Sequence, residues 1–198
     1  MIEFNFSSQG DEVQITLKTD INQIGTFHKM VAVIYKYDWD ILSGDIKTIE
    51  EDGRTYVYDI LRLKSEPGSS PRMTTELGLL METVFSSDDS ILENIYKETF
   101  SKKRTKSFFH DQAELIFEDD QSKNWTEMYI EADSGKGFLF YLTKILRENS
   151  VDIISAEIET DLSSIKACDT FYLRDGNGFP FADKPLAEKL RNEIIKNL

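Results

Sequence analysis

Two glycine-bearing loops hold the residues best suited to grip a small charged molecule. They are Asp20-Ile21-Asn22-Gln23-Ile24-Gly25-Thr26 and Asp133-Ser134-Gly135-Lys136-Gly137-Phe138. A helical pattern follows each. The start of a helix leaves backbone N–H groups without partners and carries the positive end of the helix dipole, so it attracts a carboxylate. Gly25 and Gly137 let the backbone approach a ligand closely. Asp20 or Asp133, with nearby carbonyls, would hold an ammonium group. Ser43 and Ser155, on an adjoining strand, would add a hydroxyl. The candidate ligand contacts are therefore Asp20, Asn22, Gly25, Thr26 and Ser43 in the first region and Asp133, Ser134, Gly135, Gly137, Phe138 and Ser155 in the second. An aspartate and a glycine at the entry to a helix are also ordinary turn chemistry, and the residues alone leave both readings open.

Catalytic chemistry has fewer footholds. The two histidines are His28, beside the apolar face of a helix, and His110, in a linker. Neither has a sequence context for acid–base work, and packing or surface roles are expected. Cys168 adjoins Asp169 in a strand without a basic neighbour, which describes a half-buried thiol and not an activated one. Gly135-Lys136-Gly137 lacks the upstream glycine and the following Ser or Thr of a phosphate loop. Asp175-Gly176-Asn177-Gly178 opens like a calcium loop, but Leu186 stands where the bidentate Glu belongs. Asp20-Ile21-Asn22 fails in the same way, with Val31 at that place. No catalytic residue, metal ligand or cofactor is expected.

The elements that would position the loops come in two copies. Ile41-Leu42-Ser43-Gly44-Asp45-Ile46-Lys47-Thr48 lines up with Ile153-Ile154-Ser155-Ala156-Glu157-Ile158-Glu159-Thr160 at an offset of 112. Gly25 then meets Gly137, and Phe27, Met30, Val31 and Ile34 meet Leu139, Leu142, Thr143 and Leu146, one face of a helix in each copy. Asp59 to Leu63 meets Asp169 to Leu173, with two residues fewer in the second hairpin. Alternation marks strands at Gln14–Lys18 and Glu127–Glu131, and again at Tyr56–Leu63 and Ala167–Leu173. Glu51-Asp52-Gly53 reads as a hairpin turn. Closing helices start at Pro71 and, with Asp183 as N-cap, around Pro185.

No strand can follow the last helix, so the missing fourth strand of each sheet is sought in front. Ile2–Phe6 and Ala113–Phe117 fit, joined to their successors by the polar runs Ser7–Asp11 and Asp119–Asn124. The predicted fold is α+β. It has two ferredoxin-like units, each a four-stranded antiparallel sheet with two helices on one face, in a permuted ββαββα order. The units are expected over 1–98 and 112–198, joined by a basic linker over 99–111. The two sheets would meet by their exposed faces or by their edges.

Within the linker region, Ser90 or Asp88 would cap a short helix carrying Ile91, Leu92, Ile95 and Tyr96. Lys102-Lys103-Arg104-Thr105-Lys106 reads as a solvated linker more readily than as a partner patch. The chain has 23 basic and 36 acidic residues in 198, a net charge of −13. Such an acidic surface repels nucleic acid and anionic lipid. The start has no secretory pattern, no apolar run is long enough to span a membrane, and a single cysteine fits a reducing compartment. A cytoplasmic protein with no nucleic-acid or membrane partner is expected.

In its second copy the sequence resembles the ACT domain. The resemblance rests on Ile130-Glu131-Ala132-Asp133-Ser134-Gly135-Lys136-Gly137-Phe138-Leu139, on Ile153 to Thr160, on Asp169-Thr170-Phe171-Tyr172-Leu173-Arg174-Asp175, and on Gly178 in the following turn. The arrangement of two copies is similar to the C-terminal ACT pair of bacterial uridylyltransferases that modify the nitrogen regulator PII. The Arg-Pro usually found just before the loop glycine is replaced by Gly135-Lys136 and by Gln23-Ile24. The resemblance implies binding of an amino acid or similar small effector near the strand–helix loops, and a non-catalytic regulatory protein that signals to an unidentified partner in nitrogen or amino-acid metabolism. The alternatives are an interaction or dimerisation module without a ligand, for which a homodimer is the natural assembly, and a regulatory fragment of a uridylyltransferase acting in trans.

Overall fold

The computed structural model describes residues 2–9, 12–64, 71–86, 89–100, 107–110 and 113–198. The first unit runs β1 (Ile2–Gln9), β2 (Glu12–Thr19), α1 (Thr26–Lys36), β3 (Asp40–Glu51), β4 (Arg54–Lys64) and α2 (Pro71–Ser86). After α3 (Ser90–Phe100) the plan repeats as β5 (Glu114–Asp120), β6 (Trp125–Asp133), α4 (Phe138–Glu148), β7 (Asp152–Asp161), β8 (Lys166–Arg174) and α5 (Pro185–Asn197). Each unit is a permuted ferredoxin-like α+β fold. The leading strands pair antiparallel with their successors, Phe4 opposite Leu17 and Phe117 opposite Met128.

The two four-stranded sheets join by their edges. β3 pairs antiparallel with β7, giving one eight-stranded sheet in the order β1-β2-β4-β3-β7-β8-β6-β5. Asp45 lies opposite Glu157, its own counterpart in the repeat, so a pseudo-twofold axis passes through that pair. Pairing these strands removes two open edges that would otherwise invite association. A bulge recurs at Leu42 and Ile154, just before the shared register.

Alternation gives the sheet one dry face. Ile15, Leu17, Leu61 and Leu63 in the first unit, and Met128, Ile130, Phe171 and Leu173 in the second, are fully buried under the helices. Leu77, Met81 and Val84 of α2 and Leu190 and Ile194 of α5 complete this core. α1 and α4 pack on each other across the join, and α3 packs on α1.

Several local details differ from the sequence reading. Both leading hairpins are tighter than their polar runs imply. Ser7–Gln9 continue β1 and Asp119–Asp120 continue β5, because the facing strand supplies ladder partners as far as Gln9 with Glu12 and Asp120 with Trp125. The second turn is left with 121–124 alone. The cap of α5 is Lys184 and not Asp183. Pro185 fixes the first turn and forces the residue before it into extended backbone, as φ −104° and ψ 161° at Lys184 record. Ser90 lies inside α3, since the Asp89 carbonyl accepts the first helical bond from the Glu93 amide. Asp88, Gly10, Asp11 and the basic run 102–106 lie outside the described residues.

Candidate ligand-binding site

Both loops reach their helices through a glycine in left-handed backbone, Gly25 and Gly137, each with φ 90°. A second constraint acts on the same atoms. Tyr35 of α1 lies over Gly137, where a Cβ would come within 2.8 Å of its ring. Arg147, the matching residue of α4, lies over Gly25, where a Cβ would meet its Cδ at 2.7 Å. Each glycine thus turns its own chain and admits a side chain from the other unit.

The far ends of α1 and α4 form matching corners. Asp38 (φ 59°) and Ser150 (φ 55°) turn left-handed. The Trp39 amide reaches back to the Ile34 carbonyl at 3.4 Å, and the Val151 amide to the Leu146 carbonyl at 2.9 Å. These are Schellman ends, and they deliver the next residues, Trp39-Asp40 and Val151-Asp152, to the opposite unit.

A cleft lies beneath each loop, with walls from both units. Under the second loop, Ser134, Gly135 and Phe138 face Trp39 and Asp40 of the first unit, over a floor that includes Asp169; the empty space is about 370 Å³ with its mouth included. Under the first loop, Asn22, Gly25 and Thr26 face Asp152 and Ile153 of the second unit, around about 330 Å³. Within that space each cleft as it stands has room for about one water molecule.

The structure divides the sequence candidates into three groups. Ser134, Gly135, Gly137 and Phe138 line the second-loop cleft. Asn22, Gly25 and Thr26 line the first-loop cleft. Asp20, Ser43, Asp133 and Ser155 line neither. Asp20 is exposed. The Asp133 carboxylate faces His110 at 3.3 Å. The Thr26 hydroxyl is spent on its own loop, donating to the Gln23 carbonyl at 2.8 Å and accepting from the Gln23 amide at 3.1 Å.

Sequence reading overlooked the acids at the floor. Asp59 and Asp169 occupy matching places, opposite Leu17 and Ile130 on the dry face, and each is only 1% exposed. An acid at an inward position of a strand was visible in the alternation. Asp169 accepts one bond, from the Glu159 amide at 3.0 Å, and its second oxygen has no partner. Burial pushes its acid up to about 7, against the opposing pull of that amide. Asp59 has neither oxygen bonded; the matching Lys47 amide favours its carboxylate without reaching hydrogen-bond geometry. Burial raises Asp59 well above the carboxylate range, and Asp45 adds to the shift. Asp40 and Asp152, at the cleft mouths, are also raised by burial, with Lys136 and Arg174 respectively pulling the other way. The Trp39 indole N–H is buried and has no acceptor.

Beside the clefts, a hydrogen-bonded chain crosses the join. The Thr143 hydroxyl donates to the Leu139 carbonyl at 2.6 Å, so it accepts from His28 Nδ1–H at 2.8 Å. His28 Nε2 then accepts from the Tyr96 hydroxyl at 2.5 Å, and Tyr96 accepts from Arg147 Nη1 at 3.2 Å. Burial first, then the Arg147 and Lys144 charges, push His28 down to about 3, so the ring stays neutral. Asp89 ties the start of α3 to both units, through Lys29 at 3.3 Å and Arg147 at 2.5 Å. A buried neutral histidine with both ring nitrogens bonded is a structural group.

Among the described residues no cluster of three His, Cys, Asp or Glu side chains is placed to hold a metal ion, and no helix is long and apolar enough to cross a membrane. No family model matches the chain. Over 68 residues, 34% of its length, the chain is 40% identical to the ACT domain-containing protein ACR6 of Arabidopsis thaliana, covering 15% of that protein. Over 176 residues, 87% of its length, it is 21% identical to a bifunctional uridylyltransferase/uridylyl-removing enzyme of Cereibacter sphaeroides, covering 18% of that enzyme. The chain spans less than a fifth of either relative. Fold and likeness agree: the chain holds two ferredoxin-like units in tandem, is similar to an ACT domain-containing protein, and resembles a uridylyltransferase/uridylyl-removing enzyme across both units.

Proposed function

We propose that this chain is a non-catalytic regulatory protein whose two ACT units, over 1–98 and 112–198, bind an amino acid or a similarly small effector between them. The observation that carries the reading is the make-up of the clefts: each takes its loop from one unit and its opposite wall from the other. A ligand there touches both units at once. It therefore favours one mutual arrangement of the pair, and a partner that reads the arrangement senses the ligand. In this reading the chain acts on a protein partner in nitrogen or amino-acid metabolism in the cytoplasm, which the likeness to an ACT domain-containing protein and to a uridylyltransferase supports.

The test is a melting scan of the full chain with each of the twenty proteinogenic L-amino acids at millimolar concentration. A stabiliser bound at one hundred times its Kd adds about 2.7 kcal/mol, a shift of several degrees. A rise with one amino acid or a related few supports the reading; no rise with any contradicts it. A second reading, association without a ligand, is favoured by the sheet face opposite the helices, where Tyr58, Ile60 and Tyr172 are only half-buried. A stable homodimer by light scattering, with no response to any amino acid, would support that reading instead.

A further inference from the structure

The outer face of the sheet, turned away from the helices, carries different charge in its two halves. In the first unit acids and cations are matched. Lys18 pairs with Glu51, Lys47 with Asp45 at 2.5 Å, and Arg62 with Glu12 at 3.9 Å. In the second unit Glu114, Glu118, Glu127, Glu157 and Glu159 are outward and exposed, and none forms an ion pair among the described residues. The cations on this half are engaged elsewhere: Lys166 with Glu131, and Arg174 with the Asn124 carbonyl at 2.7 Å. Like charges also face each other across the ladder. Glu118 lies opposite Glu127, Glu114 opposite Glu131, and Asp45 opposite Glu157 at the join. Such pairs cost stability. A cation brought from outside would relieve them.

Aromatic rings stand among these acids. Tyr172 lies opposite Glu127 and packs on Trp125 at 4.8 Å. Glu157 and Glu127 both act on its phenol, which burial first raises. Tyr129 lies opposite Ile116, which is 43% exposed. In the first unit the places of Tyr172 and Glu127 are held by Arg62 and Gln14, also directly opposite each other. The first unit also shows how ring and carboxylate take a cation together on this face. Lys18 Nζ sits 4.7 Å from the centre of the Tyr56 ring while paired with Glu51. Tyr172 has its carboxylates, but among the described residues no cation lies over its ring.

We propose that the outer face of β5–β8 is the docking surface for a protein partner that presents a lysine- or arginine-rich segment, one cation of which seats over Tyr172 against Glu127. This names the chemistry of the partner in the reading above; it rests on that half of the reading and on no ligand in the clefts. A second copy of the chain is a poor occupant, because it would bring the same acids against these. Nucleic acid is repelled for the same reason.

The experiment is fluorescence anisotropy of fluorescein-labelled nonalysine titrated with the full chain at about 0.1 M salt, where long-range attraction is screened. Glu118→Gln/Glu127→Gln is expected to weaken binding at least about fivefold. It should melt no lower than wild type, since it removes a like-charge pair. Glu82→Gln/Glu93→Gln makes the same charge change on α2 and α3 and should cost less than about twofold. Tyr172→Leu, which keeps the charge, should cost about threefold. No binding by wild type would overturn the proposal. So would equal losses in the two double variants, which would mean attraction to net charge alone. A homodimer by light scattering that Glu118→Gln/Glu127→Gln disrupts would overturn it too, by placing a second copy on this face. None of these readouts involves an amino acid, so failure here leaves the effector reading to its own melting scan.

Discussion

The first and second units share their turns down to single residues: a left-handed glycine before α1 and α4, a bulge at Leu42 and Ile154, and a Schellman end at Asp38 and Ser150. They part at the residues they lend each other. Tyr35 stands against Arg147, Val31 against Thr143, His28 against Phe140, and Trp39 against Val151. Positions that set backbone shape match, and of those facing the other unit Asp40 and Asp152 match while these four pairs differ. In a symmetric dimer of identical chains the two clefts would be forced to agree. Within one chain each side of the axis is free to specialise, and here the Trp39 indole falls on one side and the histidine chain on the other.

The largest test of this comparison is the pH dependence of the two floor acids. Asp169 is raised in the folded chain, so its contribution favours folding below pH 4 and is lost as pH rises through about 7. A shift of that size corresponds to roughly 4 kcal/mol. Urea titrations across pH 4–8 should show Asp169→Asn without that downward slope. Asp59→Asn should likewise remove a downward slope, since burial raises Asp59 above the carboxylate range as well. Identical profiles for wild type and both variants would mean that the two acids are already ionised and solvated.

The glycines give a smaller effect. Gly25→Val and Gly137→Val both place a side chain at φ 90°. The Tyr35 ring over Gly137 is rigid and stacked on Phe140 at 4.8 Å, whereas Arg147 over Gly25 is a flexible chain. Gly137→Val should cost about 3 kcal/mol and Gly25→Val about 1–2 kcal/mol in chemical denaturation. Equal costs would show that backbone strain alone decides.

Smallest is Thr143→Val, which copies the Val31 side of the axis onto α4. It removes the acceptor of the buried His28 Nδ1–H and should cost about 1 kcal/mol. The added His28→Phe change should make the Thr143→Val step nearly free, because the unmet donor is gone. A full cost in the double variant would mean that Thr143 acts by packing.

Much of this plan can be read in the sequence. The offset of 112 carries the element order, and the runs Ile2–Phe6 and Ala113–Phe117 ahead of each copy mark the strands β1 and β5. Local chemistry fails at two points. Asp183 looks like a cap, but Pro185 moves the cap to Lys184. Polar Ser7–Gln9 and Asp119–Asp120 look like turn, but the facing strands draw them into the ladder. The edge-to-edge join was one of two open choices, since periodicity says which face is dry and not which edge is paired. The clefts lay out of reach for a different reason. Trp39 and Asp169 are 130 residues apart and line one cleft through the join of β3 with β7. Ser43 and Ser155 sit close to the loops in the repeat, but strand alternation turns them to the other side of the sheet.

The chain has two tryptophans, Trp39 in the cleft and Trp125 on β6 beside Tyr172, 4.8 Å away. That pair allows one direct measurement. The full chain labelled with ¹⁵N at tryptophan gives two indole N–H signals, to be followed while each of the twenty proteinogenic L-amino acids is added in turn. The expected result is a saturable shift of the Trp39 signal with at least one of them, while the Trp125 signal stays in place. Both signals unmoved at millimolar amino acid, or movement of Trp125 alone, would contradict a cleft built jointly by the two units to receive it.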